Sequence, residues 1–453
     1  MIYKTENMTA GEIATAVGGE LVCGSSSDVI CGISTDSRTT DNTSLFIPLK
    51  GEKFDAHSFL NEVCKNGIGG YLCETDFVPK EPCFGIRVKD TGKALLDLAS
   101  HYRKKFDIKV VALTGSVGKT TTKEMLASVI SQKYNVHATS GNFNNNIGVP
   151  LTLFGLCSKH EVAVVEMGMS NFGEIEVLTR CALPDIAIIT NIGTSHIEFL
   201  GSQEGILRAK SEIFEGLASD GRAVLNGDDA YLVTLKEKLN LTELNFVGIK
   251  NNDCEYIAYD VVSSEDGCDF LCKGQKYHIN LPGIHNVYNA LCAIAVGEML
   301  DMTYNQISSG LASYVSSGIR QNIISVNDYK VINDCYNASP QSDIAALGVL
   351  AAVSAKRRIA VFGDIGELGL MGEKLHRSVG EAFEKSDCDV LITCGELSKY
   401  MAQEVVSKEK YCFDDTKSVI DFLKTFVKKD DAILVKASRF MKFETISEAL
   451  INQ

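Results

Sequence analysis

Short apolar runs recur along the chain, and between them lie longer stretches whose apolar positions follow helical spacing. Val110-Val111-Ala112-Leu113, Val162-Ala163-Val164-Val165 and Asp185-Ile186-Ala187-Ile188-Ile189 alternate with helical patterns, the first following a helix expected over residues 93–106. Each run ends in a polar loop, which predicts a mainly parallel, doubly wound sheet. Before it, Leu45-Phe46-Ile47-Pro48-Leu49 and Gly70-Tyr71-Leu72-Cys73, separated by turn-rich segments such as residues 34–40, predict a small α/β domain. From 221 to 281 the strand-like pieces around Phe246 and Tyr256 are shorter, and an antiparallel edge or subsidiary sheet is expected. After Ile319 the alternation restarts with Val331-Ile332 and residues 358–362, 390–393 and 432–435, the pattern of a second, Rossmann-like unit.

At 453 residues the chain exceeds one hydrophobic core. The α/β reading divides it into three domains, over residues 1–88, 89–317 and 318–453. Hydrophobic residues at 45%, charged residues at 23% and only 7 prolines suit a chain folded throughout. Residues 1–21 mix Lys4, Glu6, Glu12 and Glu20 with short apolar stretches, giving neither a signal-peptide core nor a membrane span. A cytoplasmic protein is expected, with no membrane insertion. Fifteen cysteines, an odd number without a secretion signal, read as reduced and mostly buried thiols, and Cys268 and Cys272 lack the second pair of a zinc finger. The net charge of −14 opposes nucleic-acid binding, so any phosphate must be held by a local site.

Thr114-Gly115-Ser116-Val117-Gly118-Lys119-Thr120-Thr121-Thr122 follows a predicted strand and opens a helical pattern, as a phosphate loop does. Backbone N–H groups would surround a polyphosphate, Lys119 would supply charge, and the Thr120 hydroxyl could ligate Mg²⁺. Leu113 occupies the position of the usual first glycine, so the loop departs from the standard form. Glu166 ends the second strand, where its carboxylate suits Mg²⁺. His196 closes Thr190-Asn191-Ile192-Gly193-Thr194-Ser195-His196. Taken alone it reads as a hydrogen-bonded structural histidine before a ligand, and Lys210, in Arg208-Ala209-Lys210-Ser211-Glu212-Ile213-Phe214, as a surface lysine on a helix.

In order and approximate spacing these segments resemble the Mur ligase family. The resemblance implies ATP as the nucleotide, Gly115, Ser116, Gly118, Lys119, Thr120 and Thr121 as its phosphate contacts, and the use of two Mg²⁺ ions. It implies His196 as a ligand of the second ion and Lys210 as the family's carbamylated lysine, a modification that turns a repelled ammonium into an anionic ligand. Gly283-Ile284-His285-Asn286-Val287-Tyr288-Asn289-Ala290 resembles the adenine-contacting motif, with His285, Asn286 and Asn289 as candidates. Arg320 and Asp334 resemble residues reaching the phosphates and the ribose.

Three segments are similar to the family member that adds D-alanyl-D-alanine to UDP-N-acetylmuramoyl-tripeptide. The first is Gly141-Asn142-Phe143-Asn144-Asn145-Asn146-Ile147-Gly148-Val149-Pro150, with Asn142, Asn144 and Asn145 as substrate contacts. The second is Asn333-Asp334-Cys335-Tyr336-Asn337-Ala338-Ser339-Pro340, with Tyr336 and Asn337, where Asn333 replaces an expected aspartate. The third is Gly363-Asp364-Ile365-Gly366-Glu367-Leu368-Gly369, followed by His376. At the N-terminus, Asp36-Ser37-Arg38 and Asp55-Ala56-His57 resemble a UDP-sugar-binding domain and nominate Ser37, Arg38, Asp55 and His57, although Ala56 stands where glycine is usual. A monomer is expected. Lys436 and Arg439 remain as carboxylate contacts or a solvated strand end. The alternatives are a related ligase with another substrate and a P-loop regulatory switch without ligation.

Overall fold

The computed structural model describes residues 1–51, 53–241, 243–316 and 321–452. Among these residues, strands build three large sheets, one per domain, and a small hairpin pairs Lys50–Gly51 with Phe54–Asp55. No helix among them is long and apolar enough to cross a membrane.

The first sheet runs in space through Tyr3–Thr9, Val29–Ser34, Ser44–Phe46, Gly70–Cys73, Phe84–Arg87 and Glu20–Cys23. The inner pairings are parallel and the two edge strands antiparallel. The strand expected over residues 45–49 is shorter, because Pro48 has no N–H to continue the ladder. The helix Thr91–Arg103 starts where Asp90 accepts the Lys93 N–H at 2.9 Å. It joins the first two domains: the Tyr102 hydroxyl accepts the Glu6 N–H at 2.7 Å and donates to the Leu156 carbonyl at 2.8 Å.

The central sheet has nine strands in the order Val136–Ala138, Val162–Glu166, Lys109–Thr114, Ile186–Ile189, Arg222–Asn226, Glu243–Gly248, Tyr256–Ser264, Gly267–Cys272 and Gln275–Ile279. The antiparallel character expected from 221 onward is confined to the last two pairings; Arg222–Asn226 and Glu243–Gly248 extend the parallel array. Lys109–Thr114 lies between Val162–Glu166 and Ile186–Ile189, parallel to both, with Leu113 opposite Glu166 and Thr114 opposite Ile189. Chain order reverses across this strand, so three polar loops meet at its C-terminal end, the place where open α/β sheets bind ligands.

In the third sheet, Tyr329–Asn333, Asp431–Lys436, Arg357–Gly363, Val390–Cys394 and Glu409–Phe413 are parallel, and Asn322–Val326 pairs antiparallel at the edge. Both edge strands carry mostly exposed and half-buried positions, which hid them from an apolar-run reading.

Candidate active site

A cleft of about 460 Å³ opens at the C-terminal ends of the central strands and is walled by the third domain. Its floor is the phosphate loop. Gly115 and Gly118 have φ of +154° and +87°, and a Cβ at Gly115 would lie 1.9 Å from Thr190 Oγ1. The backbone therefore requires glycine at 115, while Leu113, at the customary glycine position, still belongs to the buried strand. The loop is clamped from the neighbouring strand end: Asn191 Oδ1 accepts the Val117 N–H at 2.9 Å, and Thr190 Oγ1 and Asn191 Nδ2 donate to the Val117 carbonyl at 2.7 and 2.9 Å. Lys119, the first residue of the helix Lys119–Ile130, folds back to donate to the Gly115 carbonyl at 2.7 Å. N–H groups at a helix start and a lysine beside them suit an anionic polyphosphate.

Glu166 stands at the side of this floor, 1% exposed. Its Oε1 accepts from Asn144 Nδ2 at 2.8 Å and from the Thr120 hydroxyl at 3.4 Å, while its buried Oε2 has no hydrogen-bond partner among the described residues. A buried carboxylate oxygen that accepts no hydrogen bond, beside a hydroxyl, is a hard-donor pair of the kind Mg²⁺ takes. No cluster of three or more His, Cys, Asp or Glu side chains among the described residues could hold a metal by itself. An ion here would share its shell with phosphate oxygens and water, as Mg²⁺ commonly does.

Lys210 is not the surface lysine that its helix pattern suggested. It ends the helix Gln203–Ser211 at 2% exposure, and among the described residues its amine has no hydrogen-bond or ion-pair partner. Burial pushes its pKa well below the ordinary 10.5, and the nearby Lys119 ammonium adds to the effect. The shift favours the uncharged, nucleophilic form of this amine. His196 lines the cleft in a left-handed turn, φ +64°, with Nδ1 2.5 Å from Glu367 Oε2 of the third domain. This contact holds the Glu367 carboxyl below its usual range. The Gln341 amide oxygen makes a second bridge across the same junction, accepting from the Thr194 N–H at 3.2 Å and hydroxyl at 3.0 Å.

The far wall contains Asp334, Tyr336, Asn337 and Lys436. Lys436 is 3% exposed and donates to Asp334 Oδ2 at 2.7 Å and to the Asn337 carbonyl at 2.9 Å, so it is structural glue at the cleft and not a solvated strand end. Arg439, in contrast, is exposed. On the central-domain side, the Gln321 side-chain amide donates to His285 Nε2 at 2.6 Å, and burial holds that imidazole below its ordinary pKa and hence neutral. Asn286 donates to Gln321 Oε1 at 3.0 Å, Asn289 donates to Asn286 Oδ1 at 3.1 Å, and Thr122 donates to Asn289 Oδ1 at 3.0 Å.

Behind this wall Asp343 is fully buried, and its Oδ2 has no hydrogen-bond partner among the described residues. Burial pushes its carboxyl from 3.8 up to about 7, against the pull of Lys436. The fold thus retains a proton that the unfolded chain releases between those values, and stability is lost as pH rises through the window. Asp343→Asn should raise Tm by an amount that grows from near nil around pH 4 to a plateau above about 7. A pH-independent difference in thermal melts would show that the acid is not held protonated.

Most nominated residues converge on the cleft: Ser116, Gly118, Lys119, Thr120, Thr121, Asn142, Asn144, Asn145, Glu166, His196, His285, Asn286, Asn289, Asp334, Tyr336 and Asn337 all line it. Gly115 underlies the loop and Lys210 lies in the interior. Ser37, Arg38, Asp55 and His57 stay in the first domain, away from the lining: Arg38 pairs with Asp36 at 2.9 Å, and His57 Nδ1 lies 2.6 Å from Asp55 Oδ1. Arg320 and Glu52 lie outside the described residues. Sequence reasoning passed over Lys123, Gln341 and Asp343, gave Glu367 no role of its own within the segment it singled out, and missed a side pocket of about 60 Å³ behind the phosphate loop, bordered by Thr190, Asn191, Asn226, His285, Tyr288 and Asn289.

Comparison with known proteins agrees with this geometry. The profile of the Mur ligase middle domain matches residues 113–297, and that of the Mur ligase, glutamate ligase domain matches residues 319–439. The UDP-N-acetylmuramoyl-tripeptide–D-alanyl-D-alanine ligase of Bacillus subtilis is 39% identical, with 92% of each chain covered, and that of Escherichia coli is 34% identical with the same coverage. A crystal structure of MurF from Acinetobacter baumannii superposes with a TM-score of 0.92 at 30% identity, covering 99% of this chain and 100% of that one. MurF ligase from Thermotoga maritima in complex with ADP gives 0.83 at 28% identity, covering 93% and 97%. With a phosphate loop at the sheet's switch point, a third domain closing over it and relatives matched along nearly their whole length, the chain belongs to the Mur ligase family.

Proposed function

We infer that this chain is an ATP-dependent, ADP-forming amide ligase that joins D-alanyl-D-alanine to UDP-N-acetylmuramoyl-tripeptide, giving the pentapeptide precursor of peptidoglycan. The observation that carries the reading is the convergence on one cleft of a phosphate loop, a buried carboxylate with an oxygen that accepts no hydrogen bond among the described residues, an amide-rich segment and a wall from the third domain. The domains are assigned to UDP-sugar binding over 1–88, ATP binding over 89–317 and ligation over 318–453, with cytoplasmic ATP as the energy source and a single chain forming the whole cleft.

A carboxylate does not acylate an amine at a useful rate, because its leaving group would be oxide. The chemistry therefore runs in two displacements. The tripeptide carboxylate attacks the γ-phosphorus, ADP departs and an acyl phosphate forms. The D-alanyl-D-alanine amine then adds to the acyl carbon, and the tetrahedral adduct expels phosphate and loses a proton to leave the amide. Lys119 and the helix N-terminus offset charge on the phosphoryl group in flight, and positioning by the cleft walls supplies much of the remaining acceleration.

Thr120 and Glu166 would hold one Mg²⁺, and His196 with a carboxylated Lys210 a second; when bound, the ions supply charge neutralisation to the polyphosphate. The side pocket, with His285, Asn286 and Asn289, suits adenine, and Asp334 the ribose. Asn142, Asn144, Asn145, Tyr336 and Asn337 face the peptide, and Ser37, Arg38, Asp55 and His57 are assigned to the UDP-sugar. The third-domain contacts at His196 and Thr194 keep water from the acyl phosphate.

Phosphate release with ATP, Mg²⁺ and UDP-muramoyl-tripeptide, with and without D-alanyl-D-alanine, tests the reading. Stoichiometric phosphate and a mass equal to the UDP-muramoyl pentapeptide are expected only in the complete mixture. Turnover indifferent to the dipeptide points instead to a nucleotide switch, and ligation of another amine to a different Mur-type substrate.

A further inference from the structure

Lys123 lies one helical turn beyond Lys119, but whereas Lys119 faces the cleft, Lys123 points inward and is 3% exposed. Its ammonium donates to the Gly141 carbonyl at 2.9 Å and lies 3.9 Å from Glu166 Oε2 and 4.0 Å from Glu124 Oε1. Burying an ammonium costs several kcal/mol unless it is well paired, so its partners are held firmly in turn. Those partners belong to three separate segments. From Gly141 the chain turns tightly, Asn144 N–H donating to the Asn142 carbonyl at 2.7 Å, and the same residue returns to the strand end, where its side chain donates to Glu166 and its carbonyl accepts the Gly168 N–H at 2.8 Å. Lys123, Gly141, Asn144 and Glu166 thus close a ring of contacts under the asparagines that line the cleft.

We propose that Lys123 is a positioning residue that ties residues 141–145 and the Glu166 carboxylate to the phosphate-loop helix, and thereby sets the affinity for UDP-muramoyl-tripeptide. The proposal rests on the reading of that segment as the peptide contact. Removing the ammonium frees Gly141 and leaves Glu166 held from one side only. The amide-rich turn then loses its register against the cleft while the phosphate loop, clamped independently by Thr190 and Asn191, keeps its shape.

Lys123→Met retains the side-chain volume and removes the donor. In the full-length enzyme, KM for UDP-muramoyl-tripeptide should rise about tenfold or more, the scale of one charged hydrogen bond, while ADP affinity by calorimetry stays within about twofold. Lys123→Arg, which can reach both carbonyl and carboxylate, should recover most of the loss. If K123M does not fold, Lys123→Gln gives the same readout with a gentler change. An unchanged KM, or ADP affinity falling in step with it, overturns the role. Asn142→Ala, measured alongside, separates the layers: a raised KM there with none in K123M removes Lys123 alone, whereas no change in either removes the assignment of the segment and the proposal with it.

Discussion

Lys119→Ala is expected to lower kcat for ligation about a thousandfold while leaving Tm within a degree or two of the parent. A preorganised charge aimed at a transferring phosphoryl group is worth on the order of 3–4 kcal/mol, and the loss falls on the transition state because negative charge on the bridging oxygen grows as ADP departs. Stability is largely spared because this ammonium faces the open cleft, where it donates to a carbonyl of its own loop at 2.7 Å. Lys119→Arg should not rescue the activity, since the wider guanidinium does not fit where a point charge sits beside the helix start. Steady-state kinetics with both substrates saturating, alongside a thermal melt, decide the matter; a loss below about tenfold would mean that the loop amides alone carry the phosphate chemistry.

Lys210→Met is expected to produce an inactive enzyme that is more heat-stable than its parent in CO₂-depleted buffer. The parent buries an amine that has no hydrogen-bond or ion-pair partner among the described residues, and the methionine side chain fills the space without an amine to desolvate. The unfolded chain binds a proton that the folded one does not, so the penalty is full at low pH and fades as pH climbs towards the ordinary lysine value of 10.5. The stability gap between the two proteins should narrow over the same range. On the role proposed for Lys210, activity depends on the other property of that amine. Uncharged, it can add CO₂ to give a carbamate anion and a proton, and the Lys119 ammonium that disfavours a charged Lys210 would favour the anion. Depleting CO₂ should therefore cut turnover in the parent, bicarbonate should restore it, and carbon-13 NMR with labelled CO₂ should show a carbamate signal that K210M lacks. Indifference to CO₂ together with no carbamate signal would dispose of the modification.

The phosphate loop, the buried strands of the second and third domains and most of the cleft-lining residues were legible in the linear chain. Each depends on local physics: a continuous apolar run marks a strand covered on both faces, and a glycine-rich turn before a helix marks a phosphate loop. The departure at Leu113 was also visible, though only the 1.9 Å approach of Thr190 explains why glycine is required two residues later. Lys123, Lys210, Asp343 and Lys436 carried no such mark. Helical or strand spacing places a charged residue on an element but does not say what packs against it, and all four are enclosed by segments distant in sequence: Gly141 and Glu166 around Lys123, the Lys119 region near Lys210, and Asp334 beside Lys436. The same holds for the junction of His196 with Glu367, built from two domains 171 positions apart in the chain. Sequence by itself determined which elements form and where a nucleotide can bind, because hydrogen-bonding geometry and hydrophobic period act over a few residues. Tertiary structure decided which charges lose their water, and with them the protonation, pairing and reactivity of the site, because desolvation is set by everything that surrounds a group in space.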